Sequence, residues 1–171
     1  MNIVLTGFMA TGKTKISTCL AKSLGFALID TDEAAAEAAG KSINEIFAEN
    51  GEEYFRSLES EVIKKAAVLD RTVISTGGGA VLRSENMAAL RKNGVIVNLS
   101  PSFDVIRERI AEAARTRPLM NGQSIEAIEK RFNDRKPFYD NCDIKLEVTN
   151  SKTPEEHSAE IIAVLKNKGI M

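Results

Sequence analysis

The chain has few of the residue types that mark several common protein classes. It contains no tryptophan, one histidine and two cysteines among 171 residues. Cys19 and Cys142 are far apart in the chain and fit neither a disulfide framework nor a metal motif, so we expect structural thiols in a reducing cytoplasm. The single histidine, His157, falls on the first turn of a predicted helix and is expected to face solvent, which argues against catalysis by a histidine base.

Neither sign of charge is in excess, and long apolar runs are missing. The 23 basic and 24 acidic residues nearly cancel, so the composition gives no general argument for binding nucleic acid or a membrane. No apolar stretch approaches the roughly 20 residues that a membrane-spanning helix needs, and no basic and apolar leader precedes the first strand. With 43% hydrophobic residues, the sequence predicts one compact cytoplasmic domain, residues 1–171, that acts as a monomer.

Strand-like and helix-like patterns alternate along the whole chain, and no linker, repeat or low-complexity tract interrupts them. Such alternation is typical of a parallel sheet with helices on both faces, a three-layer α/β/α sandwich. In this architecture, ligands bind at the carboxyl edge of the sheet. The predicted strands are residues 2–6, 26–30, 72–75, 95–99 and 144–148.

One stretch has the form of a phosphate-binding loop. Residues 7–14 read GFMATGKT, which fits the pattern GxxxxGKT between a predicted strand and a predicted amphipathic helix. Glycines let successive backbone N–H groups converge on an anion, and the helix dipole adds partial positive charge. Lys13 would reach the outer phosphates, and the Thr14 hydroxyl would bind Mg²⁺. The predicted ATP-binding residues here are Ala10, Thr11, Gly12, Lys13, Thr14 and Lys15.

Two carboxylates, Asp30 and Asp32, follow the second predicted strand. For one carboxylate alone, capping of the next helix is an equally good interpretation, and Asp32 before Glu33 would serve as such a cap. Two of them beside a phosphate loop favour a role with Mg²⁺ and substrate, because phosphoryl transfer needs a metal ion and an oriented hydroxyl.

Arginines and glycines elsewhere suggest how a second substrate is held. A single helical arginine such as Arg56 is usually solvated, whereas the consecutive glycines 77–79 suggest a backbone that something approaches closely. A flexible surface turn is the alternative for these glycines. Together with Arg56, Arg135 and the glycines would form an anion-binding wall, which favours an acceptor that carries a carboxylate over a neutral sugar. The scarcity of aromatic residues weakens the case for a nucleoside acceptor.

Residues 114–122 pair two arginines with a proline and end in Asn-Gly, so they predict an exposed, mobile loop. An arginine on such a flap can close over a triphosphate and stabilise the charge that develops during transfer. An ordinary surface loop is the competing interpretation.

A phosphate loop alone does not decide between families. Switch GTPases would carry an Asn-Lys-x-Asp element and an Asp-x-x-Gly segment after the third strand, and the sequence has neither. Motor and transport ATPases normally need further domains. A small kinase needs an acceptor pocket, a carboxylate and a closing lid, and each has a candidate here. A kinase of gluconate or a nucleoside monophosphate, and a non-catalytic nucleotide-binding protein, remain as alternatives.

Six motifs span nearly the whole chain: GFMATGKT at 7–14, IDTD at 29–32, FRSLE at 55–59, TGGG at 76–79, RPL at 117–119, and Arg135 followed by Pro137 and Tyr139. In order and spacing they resemble the motifs of the shikimate kinases. The resemblance implies a P-loop kinase fold with strand order 2-3-1-4-5, a shikimate-binding region at about 31–60 and a mobile lid at about 112–123. It also implies transfer of the γ-phosphoryl group of MgATP to the 3-hydroxyl of shikimate.

The same resemblance implies how the acceptor is bound. Asp32 would orient or deprotonate the 3-hydroxyl of shikimate. Arg56 and Arg135 would hold the carboxylate. Gly78 and Gly79 would bind through their backbone N–H groups.

For the nucleotide, the resemblance implies a second group of residues. Arg117 looks like the lid arginine that meets the ATP phosphates, and Asp30 looks like the indirect partner of Mg²⁺, which Thr14 binds. Arg109 and the segment 152–154, in which Lys152 stands where the family often has arginine, resemble the walls that sandwich adenine. The expected catalytic residues are Lys13, Asp32 and Arg117.

Ala10 departs from the resemblance, because the family commonly has glycine at this place. A left-handed backbone there would strain alanine by roughly 1 kcal/mol. Since Gly7, Gly12, Lys13 and Thr14 are all intact, we expect Ala10 to be unstrained and merely to stiffen the loop.

Overall fold

The computed structural model describes residues 1–116 and 123–171. Its strands form a five-stranded parallel sheet in the order β2-β3-β1-β4-β5, which confirms the expected topology. At the centre of the sheet, Val4 of β1 pairs with Ile74 on one side and Ile96 on the other. The strands are β1 (Asn2–Thr6), β2 (Ala27–Asp30), β3 (Thr72–Ser75), β4 (Gly94–Pro101) and β5 (Ile144–Val148).

Helices connect the strands and cover both faces of the sheet. Among the described helices, none combines the length and the apolar character that crossing a membrane requires. The helices are α1 (Lys13–Leu24), α2 (Thr31–Ala39), α3 (Ile43–Ala67), α4 (Ser84–Arg91), α5 (Phe103–Thr116), α6 (Ile125–Tyr139) and α7 (Pro154–Asn167), with a 3-10 turn at Ala80–Leu82.

Two apolar clusters fill the two faces of the sheet, because successive strand residues point to opposite sides. Val4 belongs to the cluster that packs against α3, α4, α5 and α6, whereas its neighbour Leu5 belongs to the cluster against α1 and α7. Both residues are 0% exposed, as the central strand of a sheet covered on both sides should be. This arrangement confirms the expected three-layer α/β/α sandwich.

Local sequence features account for several helix boundaries. Ser42 and Thr153 form capping boxes at the starts of α3 and α7. Gly51, with φ 82° and ψ 171°, breaks α3 into two helical segments. The capping interpretation of Asp32 is wrong, because Asp30 is the residue whose carboxylate accepts hydrogen bonds from the first backbone N–H groups of α2. Asp32 is therefore left available to the site.

Two helix boundaries near the site affect its geometry, and the first differs from the sequence interpretation. Helix α5 continues to Thr116, so the first part of the predicted loop 114–122 is helical. Helix α6 continues through Pro137 to Tyr139. Tyr139 therefore lies on the same helix as Arg135, one turn further along.

Candidate active site

A cavity of about 1580 Å³ opens at the carboxyl edge of the sheet, where the predicted site residues meet. Arg117 lies outside the described residues, together with the rest of the segment 117–122 of the lid that the sequence predicts at about 112–123. Every other predicted site residue lines the cavity: Ala10, Thr11, Gly12, Lys13, Thr14, Lys15, Asp30, Asp32, Arg56, Gly78, Gly79, Arg109, Arg135 and Lys152.

The phosphate loop joins β1 to α1 and holds Lys13 against its own backbone. Lys13 Nζ donates hydrogen bonds to the carbonyl oxygens of Gly7, at 2.7 Å, and Phe8, at 2.9 Å. Burial lowers the pKa of Lys13 to about 8, although the carboxylates of Asp32 and Asp30 act in the opposite direction. The ammonium group therefore lies at the loop in a poorly solvated position, where an anionic partner would stabilise its charge.

Ala10 adopts a left-handed backbone conformation with φ of 59°. The expectation that it is unstrained is therefore wrong. Arg109 of α5 donates a hydrogen bond of 3.0 Å to the carbonyl oxygen of Ala10, and this contact comes from a residue 99 positions away. An alanine Cβ is crowded in this region of φ/ψ space, so the loop tolerates local strain that surrounding contacts maintain.

The two carboxylates after β2 have different environments. Asp30 Oδ1 accepts from the backbone N–H of Asp32 at 3.0 Å, and Asp30 Oδ2 accepts from the Ser75 hydroxyl at 3.1 Å. Asp30 is thereby fixed in place. Burial and the charge of Asp30 raise the pKa of Asp32, while Lys13 and Arg56 lower it. A partly desolvated carboxylate of this kind is suited to accept a proton from a bound hydroxyl.

The glycines 77–79 lie where site side chains press against the backbone. A methyl group on Gly77 would overlap the carboxylates of Asp32 and Glu59, and one on Gly79 would overlap the guanidinium of Arg56. Gly77 also donates its N–H to the hydroxyl of Thr31 at 2.9 Å. The alternative of a flexible surface turn is therefore wrong, because this backbone is close-packed against the candidate functional groups.

Glu59 is a site residue that the sequence interpretation left unassigned. Its side chain is 0% exposed, and its Oε2 accepts a hydrogen bond of 2.7 Å from Arg56. Its Oε1 has no hydrogen-bond partner in the described part of the chain. Burial raises the pKa of Glu59, and Arg56 opposes this shift. The Arg-x-x-Glu spacing on one helix was the available signal, because residues three apart are neighbours on a helix surface.

Arg135 and Tyr139 of α6 complete the acceptor end of the cavity. Arg135 Nη1 lies 3.5 Å from the carbonyl oxygen of Gly78, and the Tyr139 hydroxyl donates to the same oxygen. Arg56 lies against Gly79 on the other side of the glycine turn. The structure thus brings together the arginines and glycines that the sequence predicts as an anion-binding wall.

The opposite end of the cavity is formed by Arg109 and the segment after β5. Arg109 donates to the Asn150 side chain at 2.8 Å and to the carbonyl oxygen of Thr149 at 3.4 Å. Burial lowers the pKa of Arg109. Lys152 lies at the rim, where it pairs with Glu160. Arg109 therefore links the phosphate loop to the segment that was expected to flank a base.

His157 is buried, so the expectation that it faces solvent is wrong. It is 1% exposed, and its Nε2 lies 3.3 Å from the carbonyl oxygen of Thr149. Its Nδ1 lies 3.4 Å from a carboxylate oxygen of Glu160. The first turn of α7 packs under the segment after β5, and this contact between separate elements covers the imidazole.

The described residues contain no group of three or more acidic, histidine or cysteine side chains arranged to hold a metal ion. Thr14 and Asp30 nevertheless both line the cavity beside the phosphate loop. A hydroxyl and a carboxylate are the hard oxygen donors that suit Mg²⁺, which commonly takes one or two protein ligands and completes its shell with phosphate oxygens and water. The donor set therefore fits a metal ion shared with a nucleotide.

Comparison with known proteins gives one consistent result. A family model described as shikimate kinase matches residues 9–166. The chain is 46% identical to a shikimate kinase of Caldanaerobacter subterraneus subsp. tengcongensis, with 98% of each chain covered. It is 40% identical to one of Geobacter metallireducens, with 98% of this chain and 93% of the relative covered.

Two solved structures are similar along nearly the full length. A shikimate kinase from Aquifex aeolicus superposes with a TM-score of 0.84 at 34% identity, covering 99% of both chains. A shikimate kinase from Acinetobacter baumannii in complex with shikimate gives a TM-score of 0.87 at 29% identity, covering 98% of this chain and 94% of the other.

Proposed function

The chain belongs to the shikimate kinase family, and from this premise we propose how its residues carry out the reaction. It is an ATP-dependent small-molecule kinase that transfers the γ-phosphoryl group of ATP to the 3-hydroxyl of shikimate, giving shikimate 3-phosphate and ADP in the biosynthesis of chorismate and aromatic amino acids. The observation that carries the assignment of residues is the single cavity that joins the phosphate loop to the wall of Arg56, Arg135 and the glycine turn.

ATP binds at the phosphate loop in this proposal. The backbone of residues 10–15 surrounds the phosphates, and Lys13 contributes the positive charge that meets their outer oxygens. Arg109 and Lys152 flank the base at the far end of the cavity. The partly buried position of Lys13 supports its role, because an ammonium group that has lost part of its hydration gains most from a phosphate partner.

Thr14 and Asp30 would hold Mg²⁺, Thr14 directly and Asp30 through an intermediate ligand such as water. The ion would neutralise phosphate charge during transfer. Asp30 supports this role by its fixed position, since its carboxylate is held by the start of α2 and by Ser75.

Shikimate binds at the opposite wall. Arg56 and Arg135 hold its carboxylate, and Gly78 and Gly79 contribute backbone N–H groups. Asp32 orients the 3-hydroxyl and accepts its proton as the oxygen attacks the γ-phosphorus in line with the leaving ADP. Catalysis then rests on positioning and on charge neutralisation, because phosphoryl transfer requires little covalent work from the protein.

From its motif, we propose that Arg117 is the arginine of a closing lid and that it contacts the transferred phosphoryl group. We also propose that the enzyme is a cytoplasmic monomer whose partners are its small-molecule substrates, with neither nucleic acid nor membrane among them. The two cysteines are free thiols, which supports a reducing compartment. Sedimentation of the purified protein tests the monomer.

The assignment is tested by offering the purified protein ATP and Mg²⁺ with shikimate, gluconate or AMP alone. Only shikimate should yield ADP together with a phosphorylated acceptor. Lys13→Ala and Asp32→Ala should each lower turnover by orders of magnitude while circular dichroism shows a retained fold. Near-wild-type turnover in either variant would contradict the proposed catalytic roles.

A further inference from the structure

The carbonyl oxygen of Gly78 accepts a hydrogen bond from the Tyr139 hydroxyl and lies 3.5 Å from Arg135 Nη1. Both donors belong to α6 and are one helical turn apart. We propose that Tyr139 is a positioning residue for the acceptor wall, which orients the glycine turn and keeps the Arg135 guanidinium available for the shikimate carboxylate. This inference rests on the proposed acceptor-binding roles of Gly78, Gly79 and Arg135.

The geometry of the peptide bond connects the Gly78 carbonyl to the N–H of Gly79. The unit is planar and trans, so its C=O and N–H point in opposite directions. A donor that fixes the Gly78 carbonyl therefore also fixes the direction of the Gly79 N–H. Consecutive glycines have no side chains to limit their own rotation, so contacts from other segments help to set the orientation of this peptide unit.

Tyr139 is held rigidly enough to supply that orientation. Its side chain is buried, and its ring packs edge-on against Phe8 of the phosphate loop at 6.5 Å between ring centroids. Phe8 packs in the same manner against Phe132 of α6 at 5.4 Å. Burial raises the pKa of Tyr139 to about 12, so the hydroxyl remains a hydrogen-bond donor at neutral pH.

The Tyr139 hydroxyl matters for acceptor binding because Arg135 lies beside the same carbonyl oxygen. Without the tyrosine hydroxyl, the partly buried Gly78 carbonyl would keep Arg135 as its neighbouring donor, at 3.5 Å. An acceptor that is shielded from water is costly to leave unpaired, so the guanidinium would be drawn to the carbonyl and away from a bound carboxylate. The loss of a fixed direction for the Gly79 N–H and the displacement of the Arg135 guanidinium would each weaken shikimate binding. The nucleotide end of the cavity would be unchanged.

The test is Tyr139→Phe, which removes one oxygen and retains the ring contact with Phe8. We expect KM for shikimate to rise about tenfold, in keeping with the loss of one buried hydrogen bond, while kcat and KM for ATP stay within about twofold. The chain has one other tyrosine, Tyr54, whose side chain is 49% exposed. Tyr54 is not among the residues that line the cavity, so Tyr54→Phe is the matched control and should leave all three constants unchanged.

A merely structural role for Tyr139 would lower the unfolding midpoint and the active fraction without moving KM for shikimate, and that result would overturn the inference. If the variant is less stable, calorimetric titration with shikimate at a temperature where circular dichroism shows it folded decides the question. A wild-type Kd there overturns the inference as well.

Arg135→Ala, measured in parallel, separates this inference from the proposed site on which it rests. A raised KM for shikimate in Arg135→Ala together with an unchanged KM in Tyr139→Phe contradicts the positioning role alone. An unchanged KM in Arg135→Ala contradicts the proposed carboxylate site itself.

Discussion

Ala10 and Lys13 show how individual residues of the phosphate loop are adjusted by contacts from elsewhere. Ala10 has φ of 59°, and its carbonyl oxygen is held by Arg109 from another helix. Lys13 is held by the carbonyl oxygens of Gly7 and Phe8. Each residue has an unfavourable feature, backbone strain in one and desolvation of a charge in the other, and each can be tested separately.

Ala10→Gly should raise the free energy of unfolding by about 1 kcal/mol, because glycine adopts the left-handed conformation without crowding at Cβ. KM for ATP should change by no more than about twofold if the loop keeps the same backbone when it binds phosphate. Chemical denaturation and steady-state kinetics provide the two measurements. A large gain in ATP affinity would instead show that binding relieves the strain.

The lowered pKa of Lys13 predicts a pH dependence at the nucleotide site. Raising the pH through about 8 removes the proton from Lys13, and the neutral amine attracts phosphate less strongly. We expect kcat/KM for ATP to fall above about pH 8, approaching tenfold per pH unit, because this constant reports the ionisation of the free enzyme. A profile measured from pH 6.5 to 9.5 provides the test.

Two controls make the pH profile specific. At saturating ATP, kcat should stay flat to higher pH, since bound phosphates favour the charged amine. The residual activity of Lys13→Arg should lack the falling limb, because arginine keeps its charge over this range. A flat kcat/KM for the unmodified enzyme would contradict the proposed contact between Lys13 and phosphate.

At the scale of elements, the turn after β3 is organised by the helices on either side of it. Helix α2 presents Asp32 to Gly77, and α3 presents Glu59 to Gly77 and Arg56 to Gly79. The turn has no room for side chains at its first and third glycines. The packing of these side chains therefore explains why positions 77 and 79 are glycines.

Gly77→Ala and Gly79→Ala should each lower kcat/KM for shikimate by about a hundredfold, because displacing a catalytic or binding group by about 1 Å has effects of that size. KM for ATP should change little in either variant. In Gly78→Ala the added methyl group would have its nearest neighbour at 3.7 Å, so the loss should be smaller. Equal losses at all three positions would contradict the steric explanation.

At the scale of the whole molecule, part of the hydrophobic core lies away from the cavity. The cluster between the sheet and helices α1 and α7 contains Leu165 and Ile161, both 0% exposed. None of the residues that line the cavity belongs to the middle of α7. Changes in this part of the core should therefore affect unfolding without altering the site.

Leu165→Ala should lower the free energy of unfolding by about 2–5 kcal/mol, through lost burial and the cavity left behind. KM for both substrates should stay within about twofold below the unfolding transition. Val68→Ala is the control, since Val68 is 81% exposed and should change stability by less than about 0.5 kcal/mol. A selective rise in KM for one substrate would contradict the separation of core and site.

Much of the candidate site could be predicted because each of its motifs consists of a few consecutive residues. The phosphate loop follows a strand directly, Asp30 and Asp32 end the next strand, and the glycines 77–79 end a third. Strand ends in a parallel sheet meet at one edge, so these segments had to converge. Glu59 had a local signal in its spacing from Arg56, but its complete burial depends on α2 and the glycine turn.

By itself, the sequence determined the alternation of strands and helices, the phosphate loop and the pattern of motifs that identifies the family, because these depend on residues a few positions apart. Only the tertiary structure decided that Asp30 is the cap of α2, that Ala10 is left-handed and that His157 is buried. It also decided that Tyr139 meets Gly78, 61 positions away. The conformation of Ala10, the burial of His157 and the contact of Tyr139 with Gly78 depend on interactions between distant segments, which no local sequence pattern specifies. The capping role of Asp30 depends on which of the two carboxylates the end of β2 places against α2.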